Sequence, residues 1–254
     1  MIVAVTAWRG AGASTAALLL AMELAGGPDG AWLVEADPAG GSLAGRVDLP
    51  PGTAGSLERV AFPSTRTTAV AAFTDAAAIR AGAAPAAGNL RIITSPVDPF
   101  RAHACHQPRL PWVTALADLG APVVVDVGRM RAGSPTWPVL LAADAVIVVT
   151  APEVAAVVGT HEWLAAGGRV APADPGLPSG VTTVVAVAQP AGVAFPRSSL
   201  AAEFGGGWGG WLPWEPATVD AVHRGAARAD RRLRRSPLMG AVQQLAARVA
   251  RSAA

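Results

Sequence analysis

At 254 residues the chain is long enough to bury one large core, and with 52% hydrophobic and 15% charged residues it is excluded from the disordered class. A net charge of +2 is too small to name a nucleic acid or any other partner by itself. The single cysteine, Cys105, excludes an intrachain disulfide framework and fits a reducing, cytoplasmic setting, and the apolar start before Arg9 is too brief for a signal peptide or a membrane span.

In chain order, short β-branched runs alternate with alanine-rich stretches, the rhythm of βα units around a parallel sheet. Residues 2–6 read as the first strand, followed by a glycine-rich turn at 10–12 and a helix over 15–24 that is apolar almost all round and therefore buried. A second strand is expected at 32–35. Residues 49–88 are rich in proline and alanine with weak periodicity, and are expected to hold one or two helices. Further strands are expected at 90–94, 123–127, 145–150 and 182–188, with a short last one at 211–212. The long strands are continuous apolar runs, as suits strands covered on both faces. The last helix, 237–251, carries Leu238, Val242, Leu245 and Val249 on one stripe. Together these elements predict a three-layer, doubly wound α/β fold of the P-loop NTPase type. Its sheet is mostly parallel with helices on both faces, and residues 1–254 form one domain.

Ligands of such sheets bind outside the carboxyl ends of the strands, and three motifs fall there. Trp8-Arg9-Gly10-Ala11-Gly12-Ala13-Ser14-Thr15 has the shape of a phosphate-binding loop, whose backbone N–H groups and following helix dipole favour an anion. Its lysine place holds Ala13, and the sequence contains no lysine at all. Glu35-Ala36-Asp37-Pro38 puts two acids at the end of the second strand. Val123-Val124-Val125-Asp126-Val127-Gly128 ends an apolar strand in a carboxylate suited to holding Mg²⁺ through water. Two roles stand open for Ser14, a Mg²⁺ ligand or a first-turn helix hydroxyl. Replacing an ammonium by a methyl group removes a hydrogen bond worth roughly 1.5–3 kcal/mol, or about one to two decades of triphosphate affinity. Hydrolysis suffers more, because that ammonium also neutralises charge on the transferred phosphoryl group. Arg9 reads as a solvated residue whose Cβ is expected to distort the turn, with contact to phosphate as the alternative.

In this order and spacing the motifs resemble the ParA/MinD family of deviant-Walker P-loop ATPases over nearly the whole chain. The resemblance places the family's signature lysine on Trp8, its first loop glycine on Arg9 and its catalytic lysine on Ala13. It implies nucleotide contacts from Arg9, Gly10, Ala11, Gly12, Ala13, Ser14, Thr15 and Pro213, the last in the proline loop Leu212-Pro213-Trp214-Glu215-Pro216. Asp37 falls at the switch I aspartate with Glu35 before it, and Asp126 at the Walker B aspartate. Asp37 and Asp126 are the catalytic candidates if the protein is active, and Ser14 and Asp126 the Mg²⁺ ligands if nucleotide binds. Ala143-Asp144 and Thr150-Ala151-Pro152-Glu153 look like the family's next strand and turn, and Ser236-Pro237-Leu238 opens its last helix. Degenerate loops of this kind occur among MinD-like proteins of Tad/Flp pilus systems, so the TadZ/CpaE-like branch is the implied relative.

What the resemblance implies is a positioning or assembly factor acting through protein contacts, with weak ATP/Mg binding and no efficient hydrolysis. A weak ATPase using Arg9, Ser14, Asp37 and Asp126 is the enzyme alternative. The family dimerises face to face across ATP through the signature lysine, so a homodimer here would need Trp8 as an apolar contact instead. A third reading is a partitioning protein that binds DNA. Arg224, Arg228, Arg231 and Arg235 are spaced to share one helix face, with Arg232 and Arg234 beside them, and such a face could meet phosphates. The last helix lacks the bulky aromatic and lysine residues of a membrane anchor, and is expected to close the core. His103, Cys105 and His106 read as a loop without metal spacing. Trp208, Trp211 and Trp214 follow three glycines and stand equally as core or as a partner-binding patch.

Overall fold

The computed structural model describes residues 1–47, 56–62, 84–85, 89–107, 112–189 and 194–252. Its strands are β1 Ile2–Ala7, β2 Ala31–Glu35, β3 Ala84–Pro85, β4 Leu90–Ile93, β5 Val123–Arg129, β6 Ala145–Thr150, β7 Thr182–Val187 and β8 Trp208–Leu212. The helices are α1 Ala13–Leu24, α2 Leu57–Ala61, α3 Pro99–Ala104, α4 Trp137–Ala142, α5 Val154–Ala165, α6 Arg197–Phe204, α7 Pro216–His223, α8 Arg231–Arg234 and α9 Pro237–Ser252. One sheet runs in the order β3-β4-β2-β5-β1-β6-β7-β8, parallel throughout except for the two-residue antiparallel β3. This is the doubly wound, mostly parallel α/β sheet that the apolar runs predicted. α2 supplies one helix of the 49–88 stretch, and most of the rest of that expectation lies outside the described residues.

Alternation along the strands divides the core in two. Val3 and Val5 of β1 face a layer of α1, α7, α8 and α9, whereas Ile2 and Ala4 face a layer with Trp112, Leu116, Leu140 and Trp163. α1 is apolar all round because the sheet covers one side of it and α9 the other. Leu238, Val242, Leu245 and Val249 of α9 are all buried there, so its apolar stripe closes the core. No helix among the described residues is long and apolar enough to cross a membrane.

Two further expectations are corrected. The arginines from 224 to 235 do not lie on one continuous helix: α7 ends at His223, Gly225 takes a φ of 80°, and Asp230 restarts the chain as N-cap of the four-residue α8. The left-handed glycine turns the chain out of helical geometry, so the three-and-four spacing loses its meaning. His103 lies in a helix and not in a loop, since Asp98 accepts from Arg101 N and Pro99 sits at the first turn of α3. Cys105 at its end is buried, with its thiol directed at the Arg101 carbonyl and pushed up to about 11 by burial. His106 packs edge-on against Trp112 and burial lowers it to about 4.

Candidate functional site

β1 and β5 pair in parallel at the centre of the sheet, with a register shift between Val5 and Ala7 just before both strands end. After β1, residues Trp8 to Gly12 turn into α1, with Gly12 as N-cap at φ 86° and Ala16 N bonded to Gly12 O at 2.9 Å. Arg9 and Gly10 are exposed, while Ala11 and Ala13 are buried in the α1 core. No non-glycine residue among those described has a positive φ, so Arg9 fits the turn without strain, contrary to the expectation. The helix start needs no side-chain cap.

Trp8 folds back into its own chain. Its ring lies 5.5 Å from that of Trp163 on α5, stacked at 24°. Gly159 sits in the middle of α5, where glycine costs about 1 kcal/mol relative to alanine. A Cβ there would stand 2.7 Å from Trp8 Nε1, so the glycine is what admits the indole.

Three carboxylates lie under the loop. Glu35 and Asp126 are cross-strand partners on β2 and β5. Glu35 is 1% exposed; its Oε1 accepts from Ser42 N at 2.6 Å and Leu43 N at 2.9 Å, and its Oε2 from Ser95 N at 3.1 Å. Burial raises its pKa, and those three N–H groups oppose the rise. Asp37 is half-buried, takes Ala39 N on Oδ1 at 2.7 Å and rests on Gly128, where a Cβ would clash with its carboxylate. Gly128 is doubly required, since its φ is 66°. Burial raises Asp37, and the positive charges of Arg131 and Arg129 hold the rise back.

Asp126 is fully buried, with Oδ1 accepting from Gly128 N at 3.0 Å and Oδ2 without a hydrogen-bond partner. Burial pushes it up to about 7; the facing Ser14 hydroxyl and Gly128 N–H work against this, and Glu35 and Asp37 add to it. Ser14 and Asp126 therefore present oxygen atoms to one another, the kind of donor Mg²⁺ accepts when phosphate and water complete its shell. Among the described residues no group of three or more His, Cys, Asp or Glu is placed to hold a metal ion.

Beside Gly12, Thr15 and Ala16 of α1 opens an apolar cavity of about 170 Å³, closed on the far side by Pro213, Trp214 and Val219. Glu215 Oε2 accepts from Thr218 Oγ1 at 3.0 Å and from the Ser236 hydroxyl, tying the loop after β8 to α7 and to the start of α9. Of the three tryptophans, Trp208 stacks on Phe204 and Trp211 is half-buried, whereas Trp214 is 51% exposed at the cavity mouth.

Gly12, Thr15 and Pro213 line that cavity; Ser14, Glu35, Asp37 and Asp126 form a separate group close enough to act on one another's charge, Ala11 and Ala13 face the core, and Arg9 and Gly10 are exposed on the loop. Arg224, Arg231 and Arg235 belong to neither group, and Arg228 pairs with Glu23 at 2.8 Å at the far end of α1. Arg129 and Arg131 were missed by sequence reasoning; the signal was their place directly after Asp126-Val127-Gly128 on a strand already read as ending in the crevice.

No family model matches the chain, and no curated protein matches it in sequence. Solved structures do match in fold. A ParA family ATPase from Chlorobium tepidum superposes with a TM-score of 0.75 at 15% identity, covering 97% of this chain and 98% of that one. The cell division ATPase MinD of Pyrococcus furiosus gives 0.67 at 17% identity, with 98% of each chain covered. A MinD complexed with Mg-ADP, from Pyrococcus horikoshii, gives 0.66 at 14%, covering 98% and 95%. The fold is that of the ParA and MinD ATPases.

Proposed function

We propose that this chain is a degenerate ParA/MinD-like assembly or positioning factor that works through protein contacts and does not hydrolyse ATP efficiently. The observation that carries this reading is Ala13: at the place of the catalytic lysine stands a buried methyl group in the first turn of α1, in a chain without lysine. Trp8 supports it, because the side chain at the signature place is stacked on Trp163 of the same chain. Residual nucleotide binding would draw on the apolar cavity at Pro213 and Trp214 for the base and on the loop N–H groups for phosphate. A bound Mg²⁺ would supply charge neutralisation at the phosphates; Ser14 and Asp126 would hold it, and Asp37 would orient what lies beside it. The test is sedimentation with and without Mg-ATP and Mg-ADP. Association unchanged by either nucleotide supports the reading, and a dimer that forms only with ATP contradicts it.

Two other readings keep a specific observation each. A weak ATPase is favoured by the buried Asp126 oxygen without a partner and by Arg129 and Arg131 near Asp37. DNA binding is favoured by Arg224, Arg231, Arg232, Arg234 and Arg235, all exposed and without an ion pair among the described residues. Binding that weakens steeply with salt, and whose salt slope flattens when these arginines become alanine, would support the DNA reading.

A further inference from the structure

α5 and α6 pack over the same part of the sheet, sharing a small cluster of Val157, Ala186 and Leu200, and the space between them is open. His161 of α5 and Glu203 of α6 bridge it, with Nδ1 and Oε1 2.6 Å apart. Cavities of about 340 Å³ and about 370 Å³ flank the bridge, and both are lined by His161 and Glu203. Val158, Phe195 and Leu200 line one, and Leu164, Leu177 and Phe204 the other. Val154 and Val158, one helical turn apart, are 58% and 44% exposed on α5. Along α5 the lining runs from Val157 to Ala165, with apolar side chains on either side of the His161–Glu203 bridge.

The charge of this lining is opposite to that of the chain. The net charge is +2, yet among the described residues no arginine lines either cavity, and the ionisable groups that do are Glu162, Glu203 and His161. An apolar trough rimmed by carboxylates is complementary to a segment with one apolar face and cations beside it, and is mismatched to an acidic one. A second copy of this chain has no such segment to offer from α9, whose apolar stripe is buried.

We propose that the α5–α6 groove docks an amphipathic helix of a partner protein, its apolar side chains against Val158 and Phe195 and its Lys or Arg residues against Glu162 and Glu203. This surface is separate from the phosphate loop, and it stands or falls independently of what the loop does with nucleotide.

The test uses two labelled 14-residue model helices, one of leucine and lysine and one with glutamate in place of each lysine, titrated by fluorescence anisotropy. Non-specific attraction to a chain of net charge +2 would favour the glutamate peptide, so the sign of the preference is diagnostic. The lysine peptide should bind at least tenfold tighter than the glutamate peptide. Val158→Glu should weaken it at least tenfold, and so should Ser199→Trp, a substitution at an exposed rim position that leaves the core alone. Glu162→Arg with Glu203→Arg should reverse the preference. Hydrogen exchange should show protection over 154–165 and 197–204. Equal affinity for both peptides, a preference for glutamate, protection elsewhere, or a self-association that Val158→Glu abolishes would each overturn the proposal.

Discussion

Glu35 and Asp126 sit side by side on neighbouring strands at the same end of the sheet, and both are buried acids, yet the chain treats them in opposite ways. Glu35 accepts three backbone N–H groups from the loops around Leu43 and Ser95, so both of its oxygens are engaged. Asp126 accepts one backbone N–H on Oδ1, and its Oδ2 has no partner within hydrogen-bond distance. A buried carboxylate whose lone pairs are filled by the fold is a structural strut. One left incomplete beneath a helix N-terminus marks where the fold expects something else to arrive.

The largest effect expected from this contrast is at Glu35. Glu35→Ala strands three N–H donors and should cost about 3 kcal/mol or more in denaturant unfolding, whereas Glu35→Gln retains an acceptor and should cost clearly less. Equal losses in the two variants would mean that packing, not acceptance, is what Glu35 provides.

Asp126 should respond in the other direction. Its pKa is near 3.8 when exposed and about 7 when folded, so below pH 3.8 both states hold the proton and nothing is lost. As pH rises from there to about 7 only the folded state retains it, stability falls, and above that range the full penalty applies. Asp126→Asn should remove this slope and leave the chain roughly 2–4 kcal/mol more stable than wild type at pH 8. A variant less stable at pH 8 would show that the carboxylate is already compensated.

Trp8 extends the comparison to the loop itself. A side chain spent inside its own chain should give Trp8→Ala a loss of about 2 kcal/mol in unfolding, with association unchanged. A weakened dimer with unchanged monomer stability would restore Trp8 as an intermolecular contact. The smallest effect is at Arg228, the partnered member of the arginine segment. Its exposed pairing with Glu23 should be worth no more than about 1 kcal/mol and should fade with salt.

The sequence made the layers legible because apolar strands such as 145–150 and the all-round apolar α1 state their burial directly. That Gly12 and Asp126 lie at the same end of the sheet was readable because Gly12 follows β1 and Asp126 stands near the carboxyl end of the apolar run 123–127, two strands that pair in parallel. What it hid were contacts between distant segments: Gly159 reads as an indifferent helix glycine until Trp8 is seen beside it. Arginine spacing misled for a related reason, since Gly225 could have been tolerated in a helix and only its left-handed φ ends one. The groove between α5 and α6 has no signature at all, because His161 and Glu203 lie 42 residues apart and meet only through packing.

The central claim concerns turnover, and phosphate release from purified protein with millimolar Mg-ATP tests it most directly, with Asp37→Ala as the control. The expected result is no release above the Asp37→Ala background, with Ala13→Lys raising nucleotide affinity only in part because Trp8 and Arg9 still occupy the loop. Sustained release by the wild-type chain that Asp37→Ala abolishes would contradict it.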